Sequence, residues 1–134
     1  MTPSEEFVLV YLIKSEGWPE EWITYRGNEM KLGYDIEIKD PSGRVFRAIE
    51  VKTALGQGTS ALFQPSQLAR AEELGDNYWI YFVEYRPPWQ VRRIIQNPIE
   101  ALGPPKREYE SGIVIDIPVV PSTILEGLRG DRSK

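Results

Sequence analysis

The chain has 134 residues, of which 41% are hydrophobic and 27% charged, and its formal net charge is −4. Length and composition predict one globular domain with an ordinary hydrophobic core. Cysteine and histidine are both absent, which excludes disulfides, thiol or histidine catalysis, and zinc sites built from those residues. A bound metal would therefore have oxygen ligands, which favours magnesium, manganese or calcium.

The charge and hydropathy patterns limit the classes of partner. No apolar run reaches membrane-spanning length and the N-terminus has no secretory pattern, so we expect a cytoplasmic protein with no membrane partner. The mild negative charge argues against a generally basic surface. It does not exclude nucleic acid as a partner, because carboxylates that a metal neutralises count as negative in the sum.

The first elements in chain order are a helix and a short strand. Thr2, Pro3 and Glu5 predict a helix start, with Thr as N-cap, Pro at the first helical position and Glu completing a capping box. Gly17 should end this helix. A strand is expected at 22–25, and a turn at 26–29 leads out of it.

The most informative stretch is 33–52, which predicts a β-hairpin. Asp40-Pro41-Ser42-Gly43 has the residue preferences of a turn. The runs on both sides alternate apolar and polar residues, as half-buried strands do. The sequence therefore predicts two antiparallel strands, with one face towards the core and one towards solvent.

Pairing across the turn decides which charges meet. If the first and last turn residues oppose each other, Asp35 opposes Ala48, and Glu50 is its diagonal neighbour on the same face. Diagonal neighbours lie about 7–8 Å apart, which lets two carboxylates converge on one cation. Lys52 follows on that face. A loop of odd length would instead separate Asp35 from Glu50.

The opposite face of the hairpin is expected to be core. Glu37 and Lys39 are interpreted as plain surface, and Arg47 falls on the apolar face with no explanation beyond a tip that reaches water. The expected core residues of this face are Tyr34, Ile36, Ile38, Val45, Ile49 and Val51.

The remaining elements complete an α/β pattern. Residues 53–60 form a glycine-containing loop that could border a site, and 78–83 (YWIYFV) predict a strand covered on both faces. The other predictions are a helix at 65–74, a break at 86–89, a strand at 91–95, a helical turn at 97–102, a loop at 103–105, a strand at 113–117, a terminal helix at 122–128 and a frayed tail at 129–134.

The element order is αβββαβ, which predicts a mixed central sheet flanked by helices in three layers. The core of the single domain would span about 4–85, with a C-terminal extension over 86–128.

The charged face of the hairpin suggests metal chemistry. Asp35 and Glu50 can give oxygens to one or two magnesium ions, with the Val51 carbonyl as a further ligand. Lys52 could orient or deprotonate an attacking water, or stabilise the transition state. The plainer interpretation is a solvated strand face, because Glu-x-Lys alone occurs by chance.

These residues carry a family resemblance. Asp35 followed by Glu50-Val51-Lys52 within αβββαβ resembles the PD-(D/E)XK, restriction endonuclease-like nuclease superfamily. More narrowly, the chain resembles the NO VEIN C-terminal domain family over about residues 4–85. The stretches that carry the narrower resemblance are Gly33-Tyr34-Asp35-Ile36, Ile49-Glu50-Val51-Lys52-Thr53, Phe63 and Leu74-Gly75-Asp76-Asn77-Tyr78.

The resemblance implies roles for individual residues. Asp35 and Glu50 would be ligands of Mg or Mn, and Lys52 the catalytic lysine. Glu5 falls where many members carry an accessory acidic residue, although it also fits as a capping-box glutamate. Gln67 falls where members carry a polar active-site residue, although it also fits as a solvated helix position.

Substrate contacts are marked by basic and aromatic residues. Arg86, Arg92 and Arg93 with Trp89 could grip phosphate or stack on a base, although surface arginines are more often solubilising.

The favoured function is metal-dependent hydrolysis of nucleic acid, DNA first, in a restriction, repair or helicase-linked context. One alternative is a non-catalytic module that binds nucleic acid or protein beside a helicase or restriction partner. Another is a homodimer formed through the hairpin edge, with carboxylates that are only structural.

Overall fold

The computed structural model describes residues 1–29, 31–54, 60–102, 107–109 and 112–117. The predicted loop at 103–105, terminal helix at 122–128 and tail at 129–134 lie outside these residues. The helices are α1 (Pro3–Lys14), α2 (Pro65–Leu74) and α3 (Pro98–Leu102), with 3₁₀ turns at Glu20–Trp22 and Gly75–Asn77. The strands are β1 (Ile23–Tyr25), β2 (Ile36–Lys39), β3 (Val45–Thr53), β4 (Ser60–Phe63), β5 (Tyr78–Tyr85), β6 (Trp89–Gln96), β7 (Arg107–Tyr109) and β8 (Gly112–Asp116).

The start of α1 follows its sequence prediction. The Glu5 amide donates to Thr2 Oγ1 at 3.2 Å, and the Thr2 amide donates to Glu5 Oε1 at 2.7 Å, so the capping box is confirmed. The helix ends at Lys14, three residues before Gly17. Val8 and Leu12 are fully buried against the sheet.

The predicted mixed α/β architecture is confirmed. Five strands form one sheet in the order β1-β2-β3-β5-β6, in which β3 and β5 are parallel and the other neighbours are antiparallel. A second sheet has the order β4-β8-β7. The prediction of a loop at 53–60 was wrong at both ends, because Thr53 is the last residue of β3 and Ser60 begins β4, where it pairs with Asp116 of β8. Residues 55–59 of that loop lie outside the described residues.

Helices cover both faces of the main sheet, so the prediction of half-buried hairpin strands was wrong. Ile36, Ile38 and Ile49 pack with α1 on one face, as expected. On the other face, where the hairpin was expected to meet solvent, Ala48 packs with α2 and with Ile80 and Phe82 of β5. The prediction that the strand at 78–83 is covered on both faces is confirmed. Tyr34 also packs on the α2 face and not with Ile36.

The hairpin register differs from the predicted one by two residues. Ile36 pairs with Ile49 and Glu37 with Ala48, so the predicted opposition of Asp35 and Ala48 was wrong. A bulge between Ile38 and Lys39 causes part of the shift, and the turn closes between Asp40 and Arg44. An even shift preserves face parity within the strands, so Ile36, Ile38 and Ile49 stay on the predicted side, whereas Tyr34, which precedes β2, does not.

Arg47 is accommodated on the α1 face by a polar and aromatic environment. Its Nη1 lies 3.0 Å from Glu16 Oε1 and also donates to the Tyr81 hydroxyl. The guanidinium carbon lies 3.9 Å from the centroid of the Trp79 ring. Ion pairing and cation–π contact together compensate the cost of placing this charge among apolar residues.

Glu37 is buried, so its interpretation as plain surface was wrong. It is 6% exposed, and its Oε2 lies 2.9 Å from Arg26 Nη2. The Tyr34 hydroxyl donates to Oε1 at 3.3 Å. The buried carboxylate is thus paired, which is the usual condition for burying a charge. Lys39 is half-buried.

Both strands of the hairpin have a neighbour, because β1 pairs with β2 and β5 pairs with β3. The paired edges of β2 and β3 are therefore occupied within the chain, and a second copy cannot pair with them to form a dimer. Within the described ranges, no helix combines the length and the apolar character that crossing a membrane requires.

Candidate functional site

Asp35 lies in the bend immediately before β2. Its amide donates to the Ile49 carbonyl at 2.8 Å, and its carbonyl accepts from the Arg26 amide at 2.6 Å. Its side-chain Oδ2 accepts from the Val51 amide at 2.9 Å. These contacts place the carboxylate beside β3, at the carboxyl end of that strand.

The segment that leads into Asp35 is held by α2 and β5. The Tyr78 hydroxyl donates to the Gly33 carbonyl at 2.7 Å, and Arg70 Nε donates to the Leu32 carbonyl at 2.9 Å. Gly33 has φ +93°, and a Cβ added there would lie 2.6 Å from the Ser66 carbonyl oxygen. Only glycine therefore fits between Asp35 and α2 at this position.

Gly33→Ala is expected to destabilise the protein more than Gly43→Ala by about 1–3 kcal/mol, through the clash with α2. Gly43 is the matched control, because its φ is +91° but a Cβ there would meet nothing within 4 Å. It isolates the cost of positive φ, about 1 kcal/mol. Chemical denaturation measures both, and equal losses of unfolding free energy would contradict the close approach.

Glu50 and Lys52 lie on the α2 face of β3. Glu50 is 3% exposed, and its Oε2 lies 3.3 Å from Lys52 Nζ. Lys52 Nζ also donates to the Leu62 carbonyl at 2.6 Å and to Gln67 Oε1 at 2.7 Å. The ammonium therefore has three oxygen partners, which matches its three donors.

Gln67 joins the glutamate and the lysine. Its Nε2 donates to Glu50 Oε2 at 3.0 Å, while its Oε1 accepts from Lys52 Nζ and from the Gln64 amide at 2.9 Å. The amide group thus fixes both charged side chains and the start of α2. The interpretation as a merely solvated helix position was wrong.

Glu5 caps α1, as its place in the capping box predicted, and it also lies close to Asp35. Besides capping α1, its Oε1 accepts from the Tyr25 hydroxyl at 3.0 Å. Its charge also repels that of Asp35, so the two carboxyl groups are electrostatically linked. Glu5 therefore belongs to the same cluster as Asp35, on the side nearest α1.

Burial and mutual repulsion perturb the ionisation of these acids. Burial, followed by repulsion from Asp35, raises the pKa of Glu50 to about 8. Burial, with repulsion from Glu5, raises the pKa of Asp35 to about 6. Burial opposes ionisation of Glu5, but hydrogen bonds from Thr2 outweigh it and lower the pKa of Glu5. Of the two acids, Asp35 therefore keeps its proton to a higher pH than Glu5 does.

The cluster combines two inward carboxyl groups of raised pKa with one ammonium group. Such groups gain from a nearby cation, since it favours their ionised forms. Among the residues that the structure describes, no group of three Asp, Glu, His or Cys side chains is arranged to hold a metal ion. Asp35 and Glu50 are the side chains that could coordinate a metal ion here, and its other ligands would come from the main chain or from water.

The four predicted substrate residues lie apart from this cluster, on β6 and the turn before it. Arg86 Nε and Arg92 Nε pair with the two oxygens of Glu84, at 2.9 Å and 3.3 Å. The Trp89 ring stacks on Phe7, with centroids 6.4 Å apart. Arg93 pairs in register with Phe82 of β5. Since β5 separates β6 from β3, none of these strand positions adjoins Lys52 directly.

Sequence reasoning missed two tyrosines that support the cluster, Tyr25 and Tyr78. Tyr25 donates to Glu5, and the Tyr78 hydroxyl fixes the main chain before Asp35. Tyr78 lies within one of the stretches that carry the family resemblance, which was the available signal. Tyr25 had no signal beyond its place in a predicted strand.

The comparisons with known proteins give one family. The sequence model of the family described as Protein NO VEIN, C-terminal, matches residues 4–94. That range includes α1 through most of β6 and contains every residue of the cluster. Comparison with curated protein sequences gives no match. With about two thirds of its length matched, the chain belongs to the NO VEIN C-terminal family.

Proposed function

We propose that this domain is a metal-dependent nuclease that hydrolyses phosphodiester bonds of nucleic acid, with DNA as the first substrate to test. The observation that carries the proposal is the convergence of Asp35, Glu50 and Lys52 at one end of the sheet. That convergence also supports membership in the PD-(D/E)XK superfamily, whose motif these residues resemble.

The donor set suits magnesium or manganese. Carboxylate and carbonyl oxygens are the ligands that these hard cations prefer, and magnesium commonly uses one or two carboxylates plus waters. Asp35 and Glu50 would hold the ion, with the Val51 carbonyl as a further ligand. The raised pKa values of both carboxyl groups favour this assignment, because a cation would relieve their repulsion. A bound ion of this kind supplies a polarised water and absorbs charge on the phosphate.

The other residues act on the substrate or on these ligands. Lys52 is a compact cation next to the carboxylates, suited to the charge that develops on a phosphate oxygen. Gln67 holds both Lys52 and Glu50 in place. Glu5 lies close enough to Asp35 to raise its pKa and would act as an accessory acidic residue.

One observation favours the alternative of a binding module without turnover. The ammonium group of Lys52 is engaged by three oxygens of its own chain, so it must exchange at least one of them to reach a phosphate. A module of this kind, beside a helicase or restriction partner, would bind nucleic acid but form no metal-dependent products.

Incubation of the protein with labelled single-stranded DNA, duplex DNA and RNA tests the proposal. We expect fragments in Mg²⁺ or Mn²⁺ and none in EDTA. Isothermal titration with Mn²⁺ measures the ion directly and should show binding that Asp35→Asn weakens. Binding of nucleic acid without fragments in any metal would support the alternative.

A further inference from the structure

A cleft of about 540 Å³ opens beyond the carboxyl ends of the two parallel strands, β3 and β5. Thr53 and Ala54 line it from β3, and residues 83–86 with Trp89 line it from β5 and β6. Thr53 directly follows Lys52, so the cleft and the candidate site lie at the same end of the sheet, although consecutive side chains of a strand point to opposite faces. Open α/β sheets bind ligands outside the carboxyl ends of their strands.

The cleft presents an aromatic ring on a fixed support. Tyr85 is 58% exposed, and its ring centroid lies 5.2 Å from that of Trp89. Trp89 in turn stacks on Phe7 of α1 at an interplanar angle of 27°. An exposed ring held by packed neighbours is suited to stacking on a flat ligand such as a nucleobase.

The rim of the cleft carries one exposed arginine, Arg86, beside the carboxylate of Glu84. Arg86 and Arg92 share one carboxylate, that of Glu84, and each reaches it through Nε. The Arg86 side chain is 66% exposed, and Arg86 directly follows Tyr85 among the residues that line the cleft. A guanidinium group held in this way at the rim suits a phosphate group, to which arginine donates paired hydrogen bonds.

The size of the cleft limits the form of the ligand. Its volume is in the range of pockets that hold one small molecule. A paired base is stacked inside its duplex and cannot enter such a cleft unless it leaves the stack, which costs energy. Single-stranded nucleic acid presents its bases without that cost.

We propose that this cleft binds an unpaired base of single-stranded nucleic acid, with Tyr85 stacked on the base and Arg86 paired with a neighbouring phosphate. The inference rests on the proposed function for the choice of nucleic acid as ligand. It adds that the nucleic acid cleaved at the Asp35–Glu50–Lys52 cluster is unpaired next to the scissile bond.

Fluorescence anisotropy with a labelled single strand of about ten nucleotides, in EDTA so that cleavage is absent, tests this inference. Tyr85→Ala should weaken binding about tenfold, whereas Tyr85→Phe should retain it because the ring remains. The single strand should bind more tightly than a duplex of the same sequence. Thermal melting should be little changed in Tyr85→Ala, because the side chain is mostly exposed.

Arg86→Ala has a matched control in Arg44→Ala. Arg44 is also exposed but lies in the hairpin turn, at the opposite end of β3 from Thr53. Both variants lose one positive charge, so a larger loss of binding in Arg86→Ala reports the cleft itself. The inference would be overturned if the wild type and Tyr85→Ala bound the single strand with equal affinity, or if the wild type preferred the duplex. It would also be overturned if polyglutamate, a polyanion without bases, displaced the labelled strand as well as unlabelled single strand does.

The two proposals fail in different ways. If Tyr85→Ala cleaves normally and binds with unaltered affinity, the proposal for the cleft is refuted and the nuclease proposal stands. If the wild type binds single strands in a way that depends on Tyr85 but never cleaves them, the proposal for the cleft stands and the nuclease proposal is refuted.

Discussion

Asp35→Asn and Lys52→Ala are each expected to reduce metal-dependent cleavage at least about 100-fold, because each removes a charge that stabilises the transition state or holds the ion. Asp35→Asn keeps an oxygen that can accept from the Val51 amide, so its fold should be preserved. Initial rates of fragment formation in Mg²⁺ and Mn²⁺ measure the loss.

Lys39→Ala is the control for Lys52→Ala. Lys39 is the last residue of β2 and lies near the hairpin turn, at the opposite end of the sheet from the candidate site. Lys52→Ala leaves the Leu62 carbonyl without its lysine donor, which costs about 1–3 kcal/mol, whereas Gln67 Oε1 keeps the Gln64 amide as a donor. Near-UV circular dichroism should therefore accompany the assay. Undiminished cleavage in both Asp35→Asn and Lys52→Ala would retire the nuclease assignment.

Glu50→Gln is expected to stabilise the metal-free protein at pH 8, by on the order of 3 kcal/mol, because an ionised Glu50 is unfavourable where it is buried. The pKa of Glu50 rises from an ordinary 4.5 to about 8 on folding, and that of Asp35 from 3.8 to about 6. Between about pH 4 and 8 the folded state thus binds more protons than the unfolded state, so the unfolding free energy falls as pH rises.

Urea denaturation from pH 5 to pH 8, without metal, measures this effect. The difference between Glu50→Gln and the wild type should be small at pH 5 and grow towards pH 8. Mg²⁺ should raise the wild-type melting temperature more at pH 8 than at pH 6, and raise that of Glu50→Gln less. Glu73→Gln, at a side chain 64% exposed, controls for the loss of one negative charge. A difference that stays constant across this range would contradict the raised pKa.

The candidate cluster could be predicted from sequence because its argument depends on strand parity. A two-residue error in register left Asp35, Glu50 and Lys52 on compatible sides, since side chains alternate with period two. The bulge at Ile38 and Lys39 could not be predicted, because it depends on how the turn closes. The capping box was predictable, because its contacts join residues only three apart.

What the sequence concealed depends on distant partners. Glu37 resembles a surface residue until Arg26, from an earlier turn, supplies its ion pair. Arg47 is explained only by Glu16, 31 residues away, and by the ring of Trp79. The strand β4 is four residues long, and its partner β8 follows about fifty residues later, so no local pattern could announce the pairing.

The bond from Lys52 Nζ to the Leu62 carbonyl joins the five-stranded sheet to β4 of the three-stranded one. If the Lys52 ammonium exchanges this hydrogen bond for one to a phosphate, the three-stranded sheet loses a contact with the five-stranded sheet. Binding of the substrate would then increase the rate of amide hydrogen exchange in β4 and β8.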